Sequence, residues 1–237
     1  MCISLLEVYR RRLCSLALFL SLFFVSASEG TVLFVDAGAG GANDGSSWID
    51  AFRSLQVALA ASVSGDDIWV AAGIYLPTAG ADRTISFVLK NGVALYGGFA
   101  GTETSLEQRD WTVNVAILSG NIGDPSIIMV DNSYSVVNGS NTDSTAVLDG
   151  FHITRGNANG VHDELRREGG MIVYNGSPTV RNCTFHQNNA ANNGGGLYVN
   201  DSAHFNGSEA PKEPQTPCAN CAPYAGKAPA STGSTGA

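Results

Sequence analysis

Charge is what this sequence has least of. Asp, Glu, Lys and Arg make up 14% of its 237 residues, against about a quarter in an ordinary soluble domain. The balance is acidic, with a formal net charge of −8. The second half has no cluster of Lys and Arg beyond Arg166–Arg167, which Glu164 and Glu168 flank. A nucleic-acid partner held by electrostatics is thereby excluded. Long apolar runs are equally scarce. The exception, Leu13 to Val25, is 13 residues long, too short for an ordinary membrane span. Cysteine is rare as well, and its five positions are Cys2, Cys14, Cys183, Cys218 and Cys221.

Glycine is abundant, at 28 residues, and with so few charges it points to close backbone packing and tight turns. The N-terminus reads as a targeting segment. Arg10-Arg11-Arg12 precede the apolar run, and Val25-Ser26-Ala27 offers small or neutral residues for cleavage, so residues 1–27 are expected to be a signal peptide. Cys14 lies at the start of the run and not after it, which argues against a lipoprotein. Export would remove Cys2 and Cys14. Cys218-Ala-Asn-Cys221 has the spacing of a zinc half-site or redox pair. It has no second half-site, and it lies in the Pro/Ala/Gly/Ser-rich segment 208–237, which is expected to be a disordered tail. Cys183 reads as a small buried apolar residue.

The organising pattern is a repeat. Displaced by 32 residues, AVLDGFHITRGNA (146–158) falls on PTVRNCTFHQNNA (178–190). Leu148 meets Val180, Gly150 meets Asn182, Phe151 meets Cys183, Ile153 meets Phe185, Gly156 meets Asn188 and Ala158 meets Ala190. Displaced by 26, Gly169-Gly170-Met171 falls on Gly195-Gly196-Leu197. The difference is an insertion in the charged loop VHDELRRE (161–168). Phe151 and Ile153, like Cys183 and Phe185, are apolar at i and i+2 and so share one face of a strand. Gly and Asn exchange at Gly150/Asn182 and Gly156/Asn188, which predicts left-handed corners there. Short strands and corners repeating at this length describe coils of a parallel β-helix, with apolar residues stacked inside and Asn amides laddered. An α-solenoid is excluded, because the repeat has no 3.6 period.

Upstream, SSWIDAFRSLQVALAAS (46–62) carries Phe52, Leu55 and Leu59 at helical spacing behind Trp48. It predicts one amphipathic helix over about 48–62, placed before the first coil as the cap a solenoid needs. SGDDIWVAAGIYLPT predicts a strand with Ile68 and Val70 on one side and a stop at Pro77. TISFVLKNGVALYGGFAG predicts two strands joined at Asn91-Gly92, and VAILSGNIG and YSVVNGS predict further coils.

These segments resemble a known group. GDDIWVAAGIYLPT, GVALYGGFAGTETSLEQRDW and LDGFHITRGNA are similar to exported bacterial right-handed parallel β-helix proteins of the pectate-lyase-like superfamily. FHQN (185–188) and GGGLY (194–198) resemble the FxxN and GG-type repeats of polymorphic outer-membrane proteins. The likeness spans roughly residues 31 to 206. It implies an all-β, right-handed single-stranded parallel β-helix over 28–207 with an N-terminal helix cap, secreted or displayed at the cell surface. Some relatives of this kind are polysaccharide lyases or glycoside hydrolases acting on pectin-like polymers, so a catalytic cluster must be sought among the residues themselves.

No such cluster emerges. Asn141-Thr142-Asp143 matches the first element of a polygalacturonase-like pattern. The pair Asp66–Asp67, however, comes earlier in the chain, and Gly-His-Gly and Arg-Ile-Lys are missing. Asp149, His152 and Arg155 are neighbours in one coil, but the next coil carries Arg181, Thr184 and Gln187, so no carboxylate ladder builds up. They read as solvated exterior side chains. GAGGANDGSS (38–47) lacks the ending of a phosphate loop and the spacing of a calcium loop, and reads as a turn. The sequons at Asn138, Asn175 and Asn182 follow from Asn-rich corners, and Asn182 is itself predicted to be one. No catalytic or metal-ligating residue is therefore expected, and no cofactor. The expected function is a non-enzymatic scaffold, adhesive or carbohydrate-binding, with a polysaccharide or cell-surface partner and no transmembrane span once processed. The alternative is the lyase or hydrolase.

Overall fold

The computed structural model describes residues 30–124, 129–162, 165–167, 169–192 and 195–199. The expected signal peptide, the tail and the Cys218–Cys221 pair lie outside them. The described chain is mostly β, with parallel sheets and one short helix. In order run β1 (Val32–Val35), α1 (Leu55–Ala61), β2 (Asp67–Ala71), β3 (Gly73–Tyr75), β4 (Phe87–Val88), β5 (Ala94–Phe99), β6 (Ala116–Ser119) and β7 (Val137–Asn138). There follow β8 (Val147–Asp149), β9 (Phe151–Thr154), β10 (Asn157–Ala158), β11 (Met171–Val173), β12 (Thr179–Arg181), β13 (Thr184–His186), β14 (Asn189–Ala190) and β15 (Leu197–Val199).

The first sheet has the order β1-β2-β5-β8-β12, the second β13-β9-β6-β3 and the third β15-β11-β7-β4, with β10 and β14 paired beside them. From β2 onward the chain visits first, second and third sheet in turn, and then begins again. The registers are those of the sequence repeat. Leu148 pairs with Val180, Ile153 with Phe185, Ala158 with Ala190 and Met171 with Leu197. Leu95, Leu118, Leu148, Phe151, Ile153 and Met171 are all fully buried in a single apolar cluster. Burying each such side chain contributes about 1.5–3 kcal/mol. The expected amide ladder is present where Asn189 Nδ2 donates to Asn157 Oδ1 at 2.8 Å.

The corners hold in part. Gly150 (φ 87°), Asn182 (φ 51°) and Gly92 (φ 74°) are left-handed as predicted. At the other corner the left-handed residues are Arg155 (φ 61°) and Gln187 (φ 54°), each one place before the predicted Gly156 and Asn188. Gly156 is needed for approach rather than for φ, since a Cβ there would lie 1.6 Å from the Gly169 carbonyl oxygen. Asn188 reaches back to the preceding pass, accepting from Gly156 N–H and donating to the Ile153 carbonyl, both at 2.9 Å.

The helix differs more. It spans Leu55–Ala61, not 48–62, and β1 precedes it. Phe52 is extended and bridges Val35, with its N–H donating to Phe34 O at 2.9 Å. Backbone pairing to β1 thus overrides the helical spacing of Phe52. Leu55, Ala58 and Leu59 still cover the core as a cap should. Lys90 closes the helix C-terminus, its ammonium donating to the carbonyls of Leu59 and Ser62, where a cation is favoured. The strand expected from Ile68 to Pro77 is two, β2 and β3, on different sheets.

Candidate functional site

Strand alternation sorts the first sheet into two rows. Leu33, Ile68, Leu95, Leu148 and Val180 pair in register on the core side. Their neighbours Phe34, Trp69, Tyr96, Asp149 and Arg181 therefore form a second row on the outer face. This row combines aromatic faces with opposite charges, and a strap of chain after β5 folds over it.

The strap is built by its own side chains. The Glu103 carboxylate accepts from the N–H groups of Ala100, Gly101 and Thr102. Burial opposes its charge, but these hydrogen bonds outweigh that and hold its pKa below the ordinary value. The Glu103 carbonyl accepts from Trp48 Nε1 at 2.9 Å. Trp48 stacks edge-on to Phe34 at 4.8 Å, and Trp69 lies flat on Phe99 at 4.7 Å. Ser105 and Gln108 form a capping box that turns the strap inward. Arg109 then lies over the rings of Tyr96 and Trp111, at 5.1 and 4.8 Å from their centroids.

Arg109 meets Asp149. Its Nη2 is 3.0 Å from Asp149 Oδ2, and the two side chains are only 9% and 5% exposed. Arg109 Nη1 also donates to Gly97 O at 3.1 Å and to Asp149 O at 3.3 Å. Asn182 Nδ2 donates to Asp149 Oδ1 at 2.7 Å, while Arg181 Nε stands 3.6 Å from Oδ2 with its side chain 44% exposed. Gly150 makes room for this, because a Cβ there would fall 2.9 Å from Arg109 Nη1 and 3.1 Å from Trp111 Cβ. Asp149 is thus not a solvated exterior side chain, as its sequence context suggested. It is on the outer face, but the strap covers it.

The other carboxylates divide sharply. Asp66 is buried, accepting from Val63 N–H at 2.8 Å and from the Thr31 N–H and hydroxyl at 2.9 and 3.0 Å. Burial works against ionisation, yet the hydrogen bonds prevail and its pKa is lowered. Asp67 beside it is pushed the other way, first by burial and then by the charge of Asp66. Burial, followed by Asp67, also raises the Tyr96 phenol.

The remaining sequence candidates fall elsewhere. Asn141, Thr142 and Asp143 form a corner. Asn141 is left-handed, Thr142 Oγ1 donates to Gly139 O at 2.6 Å, and the Asp143 carboxylate accepts from the N–H and hydroxyl of Thr145. Residues 38–47 make the expected turn, pinned by Asp50, which accepts from Ala42 N–H at 2.8 Å, and by Arg53, which donates to Ala39 O at 2.6 Å. Asn138 is on β7, and Asn175 is left-handed like Asn182. His152 lies on the second sheet and Arg155 at the corner beyond it, so Asp149, His152 and Arg155 do not converge. Of the charged loop, Arg167 Nη1 donates to the Tyr174 hydroxyl at 3.2 Å. Among the described residues no three His, Cys, Asp or Glu side chains gather to hold a metal, and no helix is long and apolar enough to cross a membrane.

The acceptors of Asp66 and Asp149 are committed to neighbours, whereas a glycosidase needs two available carboxyl groups across one bond. Tyr96, Trp111, Asp67 and the exposed part of Arg181 remain for contact with a ligand. Arg109 and Trp111, which make the face, carry no periodic signal in the sequence. Their only mark is the motif SLEQRDW. No curated protein and no solved structure matches this chain. A family model described as a protein of unknown function, DUF1565, matches residues 37–210. That span contains the strap and nearly every strand it crosses, and the chain belongs to the DUF1565 family.

Proposed function

We propose that this chain is an exported, right-handed parallel β-helix scaffold that binds a carbohydrate polymer along the outer face of its first sheet. The winding is supported by the repeated first-second-third order of the parallel strands, since parallel crossovers are right-handed in nearly all folds. Export, to the medium or the cell surface, rests on the charged, apolar and small-residue succession of residues 1–27.

One observation carries the binding reading. Tyr96 and Trp111 present partly exposed rings around a buried Arg109–Asp149 pair, with Asp67 and Arg181 at the margins. Ring faces take the C–H surface of a sugar, and flanking charged groups fix its hydroxyls. A strand-by-strand ladder suits a polymer better than a single small molecule. The test is a glycan array followed by titration of the bound polymer. Tyr96→Ala and Trp111→Ala are each expected to weaken binding about tenfold, without release of sugar. Retained affinity in both variants refutes the assignment.

A second reading, the lyase or glycoside hydrolase, is favoured by Asp67 alone, the carboxyl on this face whose pKa is raised. Appearance of reducing or unsaturated sugar ends from pectin-like polymers, abolished by Asp67→Asn, would establish it over the scaffold.

A further inference from the structure

The second sheet carries a polar patch that the carbohydrate face does not use. On its outer side His152 and Thr154 of β9 lie beside Thr184 and His186 of β13, with His152 in register with Thr184 and Thr154 in register with His186. The two histidines are diagonal neighbours whose rings lean together, with centroids 5.8 Å apart and planes at 84°. Both are half-buried, and among the described residues none of their ring nitrogens has a hydrogen-bond partner. Thr154 is only 5% exposed, and its Oγ1 has no partner either. A buried hydroxyl left without a hydrogen bond costs about 1–3 kcal/mol, so an orphan beside two free imidazoles calls for a ligand.

We propose that His152 and His186, with the Thr154 hydroxyl beside them, bind one borderline divalent transition-metal ion, copper(II) ahead of zinc(II). Neutral imidazole is the commonest protein ligand for such ions, and copper(II) tops the affinity order for nitrogen sites. An ion about 2.0–2.1 Å from one nitrogen of each ring holds the ring centres roughly 5–6 Å apart, which matches the 5.8 Å between these two. Two imidazoles leave coordination positions open to water or to a group from a partner. Arg155 follows Thr154 at the corner and is exposed. Its charge opposes a cation and holds the affinity down.

Calorimetric titration with copper(II) tests this, using the full chain alkylated with N-ethylmaleimide so that reactive thiols do not compete. One ion per chain is expected, with two imidazole nitrogens in its electron paramagnetic resonance spectrum. His152→Ala and His186→Ala should each weaken binding on the order of tenfold or more, and the double variant should weaken it further still. His162→Ala, in the exposed loop, should change nothing. His152→Asn and His186→Asn repeat the measurement with polar replacements, and circular dichroism confirms that each variant is folded. Arg155→Gln should tighten binding about threefold. Glutamine is tolerated at that backbone conformation, since Gln187 holds the equivalent corner one pass later. Unchanged affinity in both single histidine variants, a spectrum with one nitrogen, or an unaltered Arg155→Gln overturns the site.

Discussion

Asp149 is a carboxylate on an outer sheet face that water barely reaches, and its two arginine neighbours are not equivalent. Arg109 is buried with it, whereas Arg181 is 44% exposed. Arg109→Ala leaves a buried carboxylate held only by Asn182 and the longer contact to Arg181, and should cost about 3–5 kcal/mol in urea unfolding. Arg181→Ala removes a rim contact and should cost less than about 1 kcal/mol. Equal losses would show that solvent shields both alike. The pair Asp66–Asp67 makes a pH prediction of opposite signs. The pKa of Asp66 is lowered in the folded chain, so its contribution is present above the unfolded carboxyl value, about 3.9. It is lost as pH falls through the lower folded value. The pKa of Asp67 is raised, so its contribution is present only below the unfolded value and becomes a cost as pH rises through the folded one. At pH 7 Asp66→Asn should therefore lower the melting temperature and Asp67→Asn should raise it. A common direction for the two refutes the assignment. Cys183 is partly exposed, yet desolvation by its neighbours pushes the thiol up to about 12, so it should alkylate more slowly at pH 8 in the folded chain than in the unfolded one, as peptide mapping would reveal.

Strands and corners were legible in unequal measure. A displacement of 32 residues aligned Ile153 with Phe185 from sequence, and the ladder has that register, because in-register parallel pairing makes sequence offset and spatial neighbour the same thing. The corner at Gly150/Asn182 was visible for the same reason. The corner at Arg155/Gln187 was not, because neither residue type advertises a left-handed backbone. The Gly-to-Asn exchange beside it reported close approach and a bridging amide instead. Phe52 shares helical spacing with Leu55 and Leu59, but its bridge to Val35 is a long-range pairing that leaves no local pattern. Arg109 and Asp149 are 40 positions apart in chain with an aperiodic strap between them, so the centre of the candidate site had no local signature. Two variants probe the elements directly. Phe151→Ala, fully buried, should cost about 3–5 kcal/mol. Gly150→Ala imposes both a strained φ and a collision with Arg109, and should cost more than the Ala-for-Gly exchange at an open turn, about 1 kcal/mol or less.

Among the described residues, strands contact mainly their neighbours in the same sheet, so local protection should follow the number of strands alongside. Amide hydrogen exchange should be slowest in β5, β6, β8 and β9, which have a strand on either side, and faster in β3 and β13 at the edges of the second sheet. Uniform protection throughout would contradict this.

The interval between the β10–β14 pair and the third sheet differs from pass to pass. The sequence between β10 and β11 (159–170) is longer than that between β14 and β15 (191–196), yet Met171 still meets Leu197. Length at that point is decoupled from the ladder. A foreign epitope spliced there should leave the pairing of Met171 with Leu197 in register, which makes the turn a grafting port.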